Sequence, residues 1–208
     1  MILVLAVFLG LFAGVLRAWL TKRTYQPVGL KHLWIVFVAF IPQFLSFYIP
    51  ATRVLIPDAA ASAGLIFSQA FLFVFAFSNR NQPGFWVLTA GLLLNFLVIT
   101  LNGGWMPLQP ETAQKLIPPG VEVALEIGQR VGYGKDILLP TEMTRLWFLG
   151  DVFTLPGWLN YRLAFSIGDI LISFGAFRFF WSLGAPQYPH KTARVIHPPS
   201  EEKGCYRT

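Results

Sequence analysis

Leu149–Phe174 reads LGDVFTLPGWLNYRLAFSIGDILISF: a Gly-Asp turn, a Pro-Gly turn, one arginine, and then an apolar run with a second aspartate inside it. Asp169 is the only acid within any of the chain's long apolar runs. An ionised carboxylate in hydrocarbon costs at least about 2.5 kcal/mol on insertion scales, so such a residue is neutral, partnered or turned toward a polar cavity. If the run spans a membrane, Asp169 sits about six residues, roughly 9 Å, inside its outer boundary. Asp151 precedes the outer end of the same helix.

The rest of the chain has the same character. Of its 208 residues 55% are hydrophobic and 12% charged, well below the roughly 25% charged residues of a soluble domain. Mean hydropathy is +0.57. The formal charge of +6 is scattered among the flanks of apolar runs and forms no single basic face, so nucleic acid is not an expected partner. One cysteine, Cys205, excludes an internal disulfide and a cysteine-based metal cluster.

Five apolar segments follow in order. Ile2–Leu20 has its basic residues (Arg17, Lys22, Arg23) after it, the reverse of a cleaved signal, and reads as a first span with its N-terminus outside. A basic inner loop, Thr21–His32, leads to a second span near Leu33–Ile49. The outer turn Tyr48–Ala60 is rich in proline, with Asp58 set to offset Arg53. A third span covers Ala61–Phe77, a tight turn 79–84 carries Arg80, and a fourth span covers Phe85–Leu101. Residues 102–162 form the only long connection, with near-balanced charge suited to the outer side, and Leu163–Leu183 is the fifth span. The expected fold is an all-α integral membrane protein of five transmembrane helices, N-terminus out and C-terminus in. Residues 1–184 form one domain and 185–208 a polar inner tail. Lysine and arginine bias and the tryptophan positions agree on this orientation.

Within the long connection Pro110–Leu116 predicts a short helix, Pro110 suiting its first position. Val121–Val131 alternates apolar and acidic residues like a half-exposed strand, with an interfacial helix as the alternative. Gly132–Asp136 lacks the spacing and the Ser or Thr of a phosphate loop. His32, His190 and His197 lie toward the inner side, remote from the aspartates, so neither metal nor cofactor is expected.

The polar residues of the spans concentrate in the outer half. Gln43, Asn95, Asn102, Ser166 and Ser173 form a candidate intramembrane cluster with Asp169, because Gly91, Asn95 and Asn102 share one helix face and Ser166, Asp169 and Ser173 another. One reading is hydrogen bonding between helices, with Asp169 meeting Asn95 or Arg162. Another takes Asp151 and Asp169 as a catalytic pair, one protonated and one acting as base on water. A third runs a proton or ion path through Asp169, for which the helix offers little beyond Ser173.

Two resemblances enter at these residues. Asn102-Gly-Gly-Trp-Met-Pro107, Thr144-Arg145 to Gly150-Asp151, and Phe165 to Ile172 resemble a bacterial family of multi-pass membrane proteins of unknown function. That resemblance implies the bacterial cytoplasmic membrane and no activity. Gly150–Phe153 and Phe165–Gly175 resemble the C-terminal part of lipoprotein signal peptidase, which would make Asp151 and Asp169 its catalytic aspartates. Ser166 and Gly168 depart from that family's residues around the second aspartate, and its upstream Asn-x-x-Asp-Arg motif is absent. The leading expectation is a non-catalytic membrane component that binds lipids or membrane-protein partners through the outer loop. Outer-face aspartic hydrolysis is the alternative and proton conduction the third.

Overall fold

The computed structural model describes residues 2–121, 123–131, 134–159 and 161–184; the expected tail, with Cys205, His190 and His197, lies outside them. The apolar runs form helices: α1 Ile2–Leu20, α2 Trp34–Gln43, α3 Pro50–Arg53, α4 Asp58–Ser78 and α5 Phe85–Leu101. After α5 come β1 Met106–Leu108, α6 Pro110–Leu116, β2 Asp136–Leu138, β3 Phe153–Thr154, β4 Ala164–Phe165 and α7 Ile167–Ser182. The molecule is mostly helical. Two helices, α1 and α4, are long and apolar enough to cross a membrane, while α2 and α5 are shorter apolar helices.

Pro42 lies one residue before the end of α2, where its ring and missing N–H disturb the regular bonding pattern. The chain continues as a π-helical turn, Phe44–Tyr48, closed by the Ile49 N–H on the Phe44 carbonyl at 3.2 Å. The long helices alternate in direction along the chain. Pro42 of α2 lies against Gly64 of α4, and the Asn79 side chain at the other end of α4 brackets Lys31, accepting from its N–H at 2.8 Å and donating to its carbonyl at 3.0 Å. Helices α5 and α7 run antiparallel, with Gly84 beside Gly175 and Gly91 beside Gly168. Helix α1 runs parallel to α7, its Gly10 and Gly14 meeting Phe177 and Phe180.

The described residues of 102–162 fold into a cap over one end of the helices. Its centre is β1, whose three residues are all buried. Parallel pairing sets Met106 opposite Asp136 and Leu108 opposite Leu138. Met106 joins Leu65, Val98, Ile99 and Leu149 in one cluster, so the cap shares a core with α4 and α5.

Three expectations change. Val121–Val131 is no strand among its described residues: Val121, Val123 and Ile127 are exposed, and only Arg130 makes an isolated bridge, to Ile137. The ladder goes to Met106–Leu108 instead, because that run is apolar at every position and fills the floor of the cap. Asp58 does not offset Arg53; it pairs with Arg130 at 2.9 Å, which reaches it from the cap. The last helix begins at Ile167, not Leu163, because Ala164–Phe165 pairs with Phe153–Thr154 and Ser166 caps the helix.

Candidate functional site

That shorter helix relocates Asp169. It sits in the first turn of α7, not six residues inside a span, and closes a capping box. The Ser166 hydroxyl accepts from the Asp169 N–H at 3.1 Å, and Asp169 Oδ2 accepts from the Ser166 N–H at 3.2 Å. Two orphan N–H groups are satisfied, and a carboxylate lies at the positive end of the helix. The Ser-x-x-Asp spacing is itself a helix-start signal, legible in the sequence but read there as a helix interior.

Asn95 joins this box from α5. Its Nδ2 donates to Asp169 Oδ1 at 3.0 Å, and its Oδ1 accepts from the Ser166 hydroxyl at 3.0 Å. Both Asp169 oxygens therefore have donors. The contact needs close backbones: a Cβ on Gly91 would stand 2.6 Å from the Gly168 carbonyl oxygen, and one on Gly168 would overlap the Asn95 amide.

The other members of the expected polar cluster are elsewhere. Gln43 donates to Ser68 on α4. Asn102, at the end of α5, holds Arg145 of the cap, accepting from its N–H and donating to its carbonyl, each at 2.9 Å. Arg162 does not reach Asp169; it donates to the carbonyls of Lys115 and Ile117. Ser173 lies one turn below Asp169, and its buried hydroxyl has no partner.

Asp151 is brought into the cap by β1. Its N–H donates to the Pro107 carbonyl at 3.0 Å, while on the other edge the Met106 N–H donates to the Lys135 carbonyl at 2.9 Å. One strand thus sets Asp151 and Lys135 side by side. Lys135 Nζ lies 2.6 Å from Asp151 Oδ2 and 3.3 Å from Asp136 Oδ1. Asp169 is within electrostatic reach of both Lys135 and Asp151. Sequence reading missed Lys135, since nothing in Gly134-Lys135-Asp136 marks it as the partner of an aspartate sixteen residues on.

Asp151 is 1% exposed, and its Oδ1 has no partner. Burial pushes its carboxyl up to about 7, against the pull of the Lys135 ammonium. Burial lowers the Lys135 value, but Asp136, Asp151 and Asp169 outweigh that and hold its ammonium well above the ordinary lysine range. The two aspartates expected to share a proton are thus gathered near one lysine. Each has a partner of its own, a cation for Asp151 and neutral donors for Asp169.

Residues 27–181 match the model of a family of unknown function, DUF5317. Over 169 residues the chain is 28% identical to an uncharacterized protein of Thermotoga maritima, covering 80% of this chain and 83% of that relative. No solved structure matches. With three quarters of its length inside the family model, the chain belongs to the DUF5317 family of unknown function.

Proposed function

We propose that the chain is a polytopic component of the bacterial cytoplasmic membrane. Helices α1, α2, α4, α5 and α7 span it, the N-terminus lies outside, and 102–162 forms an outer cap that binds lipid or a membrane-protein partner without catalysis. Helix α4 carries this reading. It is internal to the chain, its apolar window has mean hydropathy 1.9, and only 28% of that window is buried. A core helix of a soluble protein would bury such a surface, and water does not tolerate it bare. Phe8, Phe12, Phe37, Phe67 and Val74 extend the exposed apolar belt over α1, α2 and α4. The alternating helix directions support five crossings. The non-catalytic reading is supported by the structural partner each aspartate has, Lys135 for Asp151 and the Asn95 amide with the Ser166 N–H for Asp169.

The test is labelling in intact cells with a membrane-impermeant maleimide, in a Cys205→Ser background. Glu142→Cys in the cap should react at once, and Gln82→Cys in the 79–84 turn only after permeabilisation. Equal labelling of both would sink the five-span topology.

One observation favours aspartic hydrolysis as a second reading: Asp151 combines an unpartnered Oδ1 with a carboxyl raised toward neutrality, the range of a general base. Under it, Asp151→Asn and Asp169→Asn each abolish cleavage of a membrane-anchored substrate while the protein still accumulates. Cleavage that survives either change removes it.

A further inference from the structure

The end of α2 joins two unlike hollows. Val36, Phe37, Phe40, Ile41, Phe44 and Leu45 line a furrow of about 460 Å³ whose walls are almost wholly carbon. The next turn borders a cleft of about 420 Å³ reached by Gln43, Tyr48, Arg53, Lys135 and Asp136. The two hollows adjoin along the helix: Phe44 of the furrow and Tyr48 of the cleft stack with ring centroids 6.2 Å apart. Phe44 and Tyr48 are four residues apart, a spacing that sets both on one helical stripe; here the turn is π-helical, and such turns recur at functional sites.

The cleft has firm walls. Phe47 carries the Arg130 guanidinium over its ring at 5.2 Å, and Arg130 also lies 4.7 Å from the Trp105 ring. Two cations, Arg53 and Lys135, face one acid, Asp136, in its lining. Lys135 has three N–H donors. Asp151 accepts one of them, and Asp136 Oδ1 lies 3.3 Å away without a hydrogen bond, so the ammonium keeps donors for an incoming oxygen. An apolar furrow about one helix long beside a polar cleft that presents a guanidinium and an ammonium matches an amphiphile with a hydrocarbon tail and a phosphate.

We propose that this is a phospholipid site, with one acyl chain in the 36–45 furrow and the phosphodiester at Arg53 and Lys135. It rests on the reading of α2 as a span, which places the furrow at acyl depth and the cleft at the outer headgroups. Arg53 gives the planar fork suited to phosphate oxygens, Gln43 and Tyr48 bond the glycerol region, and the furrow discriminates against water-soluble phosphates.

The experiment is native mass spectrometry of the full chain, released from mixed micelles holding equal amounts of palmitoyl-oleoyl phosphatidylglycerol and the matching diacylglycerol. Wild type should retain one phosphatidylglycerol and no diacylglycerol, and sn-glycerol 3-phosphate added alone should not bind. Arg53→Gln should cut retention at least five-fold. Ile41→Trp, which fills the furrow from an exposed position and so leaves the core intact, should do the same. Retention unchanged in the two variants, or diacylglycerol or the free head group held as well as the lipid, overturns the site. The maleimide labelling separates the two failures: Gln82→Cys labelled in intact cells defeats the topology, whereas correct labelling with unchanged lipid retention defeats the phospholipid site alone.

Discussion

At the end away from the cap, α1, α5 and α7 meet through glycines and aromatic rings; at the cap end the same α5–α7 pair meets through Asn95, Ser166 and Asp169. Phe85 stands edge-on between Phe75 and Phe179, with centroids 6.0 and 5.2 Å away, and Gly84 and Gly175 bring two backbones together. No carboxylate among the described residues joins that contact. Around the cap, an ammonium, three carboxylates, an amide and a hydroxyl hold the pieces. Shape alone tolerates no added volume but ignores pH, whereas the polar end should respond to protonation and to the loss of single partners.

The largest effect should come from adding volume at the dry end. A Cβ at Gly175 would stand 2.6 Å from the Leu88 nitrogen and 2.8 Å from the Gly84 carbonyl oxygen, both backbone atoms that cannot step aside. Gly175→Val should destabilise the protein by about 3 kcal/mol, read as a lowered thermal midpoint in detergent that is the same at pH 5 and pH 8.

Lys135→Met should come next, at about 2 kcal/mol once the side chain's partial exposure is allowed for, with a loss that depends on pH. Asp151 binds its proton more tightly folded than unfolded, so between about pH 4 and 7 the native state holds more protons and stability falls as pH rises. At pH 5 a protonated Asp151 has little need of the lysine; at pH 8 its carboxylate would be buried without a cation. The variant's midpoint should therefore drop further at pH 8 than at pH 5, and Asp151→Asn should remove the acid-side slope. A drop equal at both pH values would mean that the lysine acts by packing, as the glycines do.

Ser166→Ala removes the α7 cap and the donor to Asn95. The expected cost is about 1 kcal/mol, seen as faster hydrogen exchange at the first turn of α7 with the glycine contacts unchanged. Asp58→Asn should be smallest, below about 0.5 kcal/mol, because the Asp58–Arg130 pair is exposed on one side. That difference should vanish in high salt.

Much of this architecture was written in local pattern. The bounds of α1 and α5 follow from apolar runs closed by basic or Asn-Gly-Gly signals, and those of α6 from Pro110, which starts it as its fixed φ requires, and the Pro-Pro-Gly beyond its end. The meeting of Asn95 with Asp169 was legible too, because helical spacing puts each on the face its helix turns to the other. Where reading failed, contacts distant in sequence decided the outcome. Val121–Val131 alternates like a strand, but of its described residues only 128–131 reach an edge, bonding to β2 at Asp136 and Leu138, while Val121, Val123 and Ile127 stay exposed.

By itself, then, the sequence determined an apolar, mostly helical chain, the order and rough limits of its helices, and two aspartates worth following. Those properties depend on residue type and on spacings of three and four, which a local stretch carries whole. Only the tertiary structure decided that Asp151 faces Lys135 and that Arg130 reaches Asp58. Those pairings depend on which backbone edges β1 brings together, and a charge finds its partner by distance through space, not by separation along the chain.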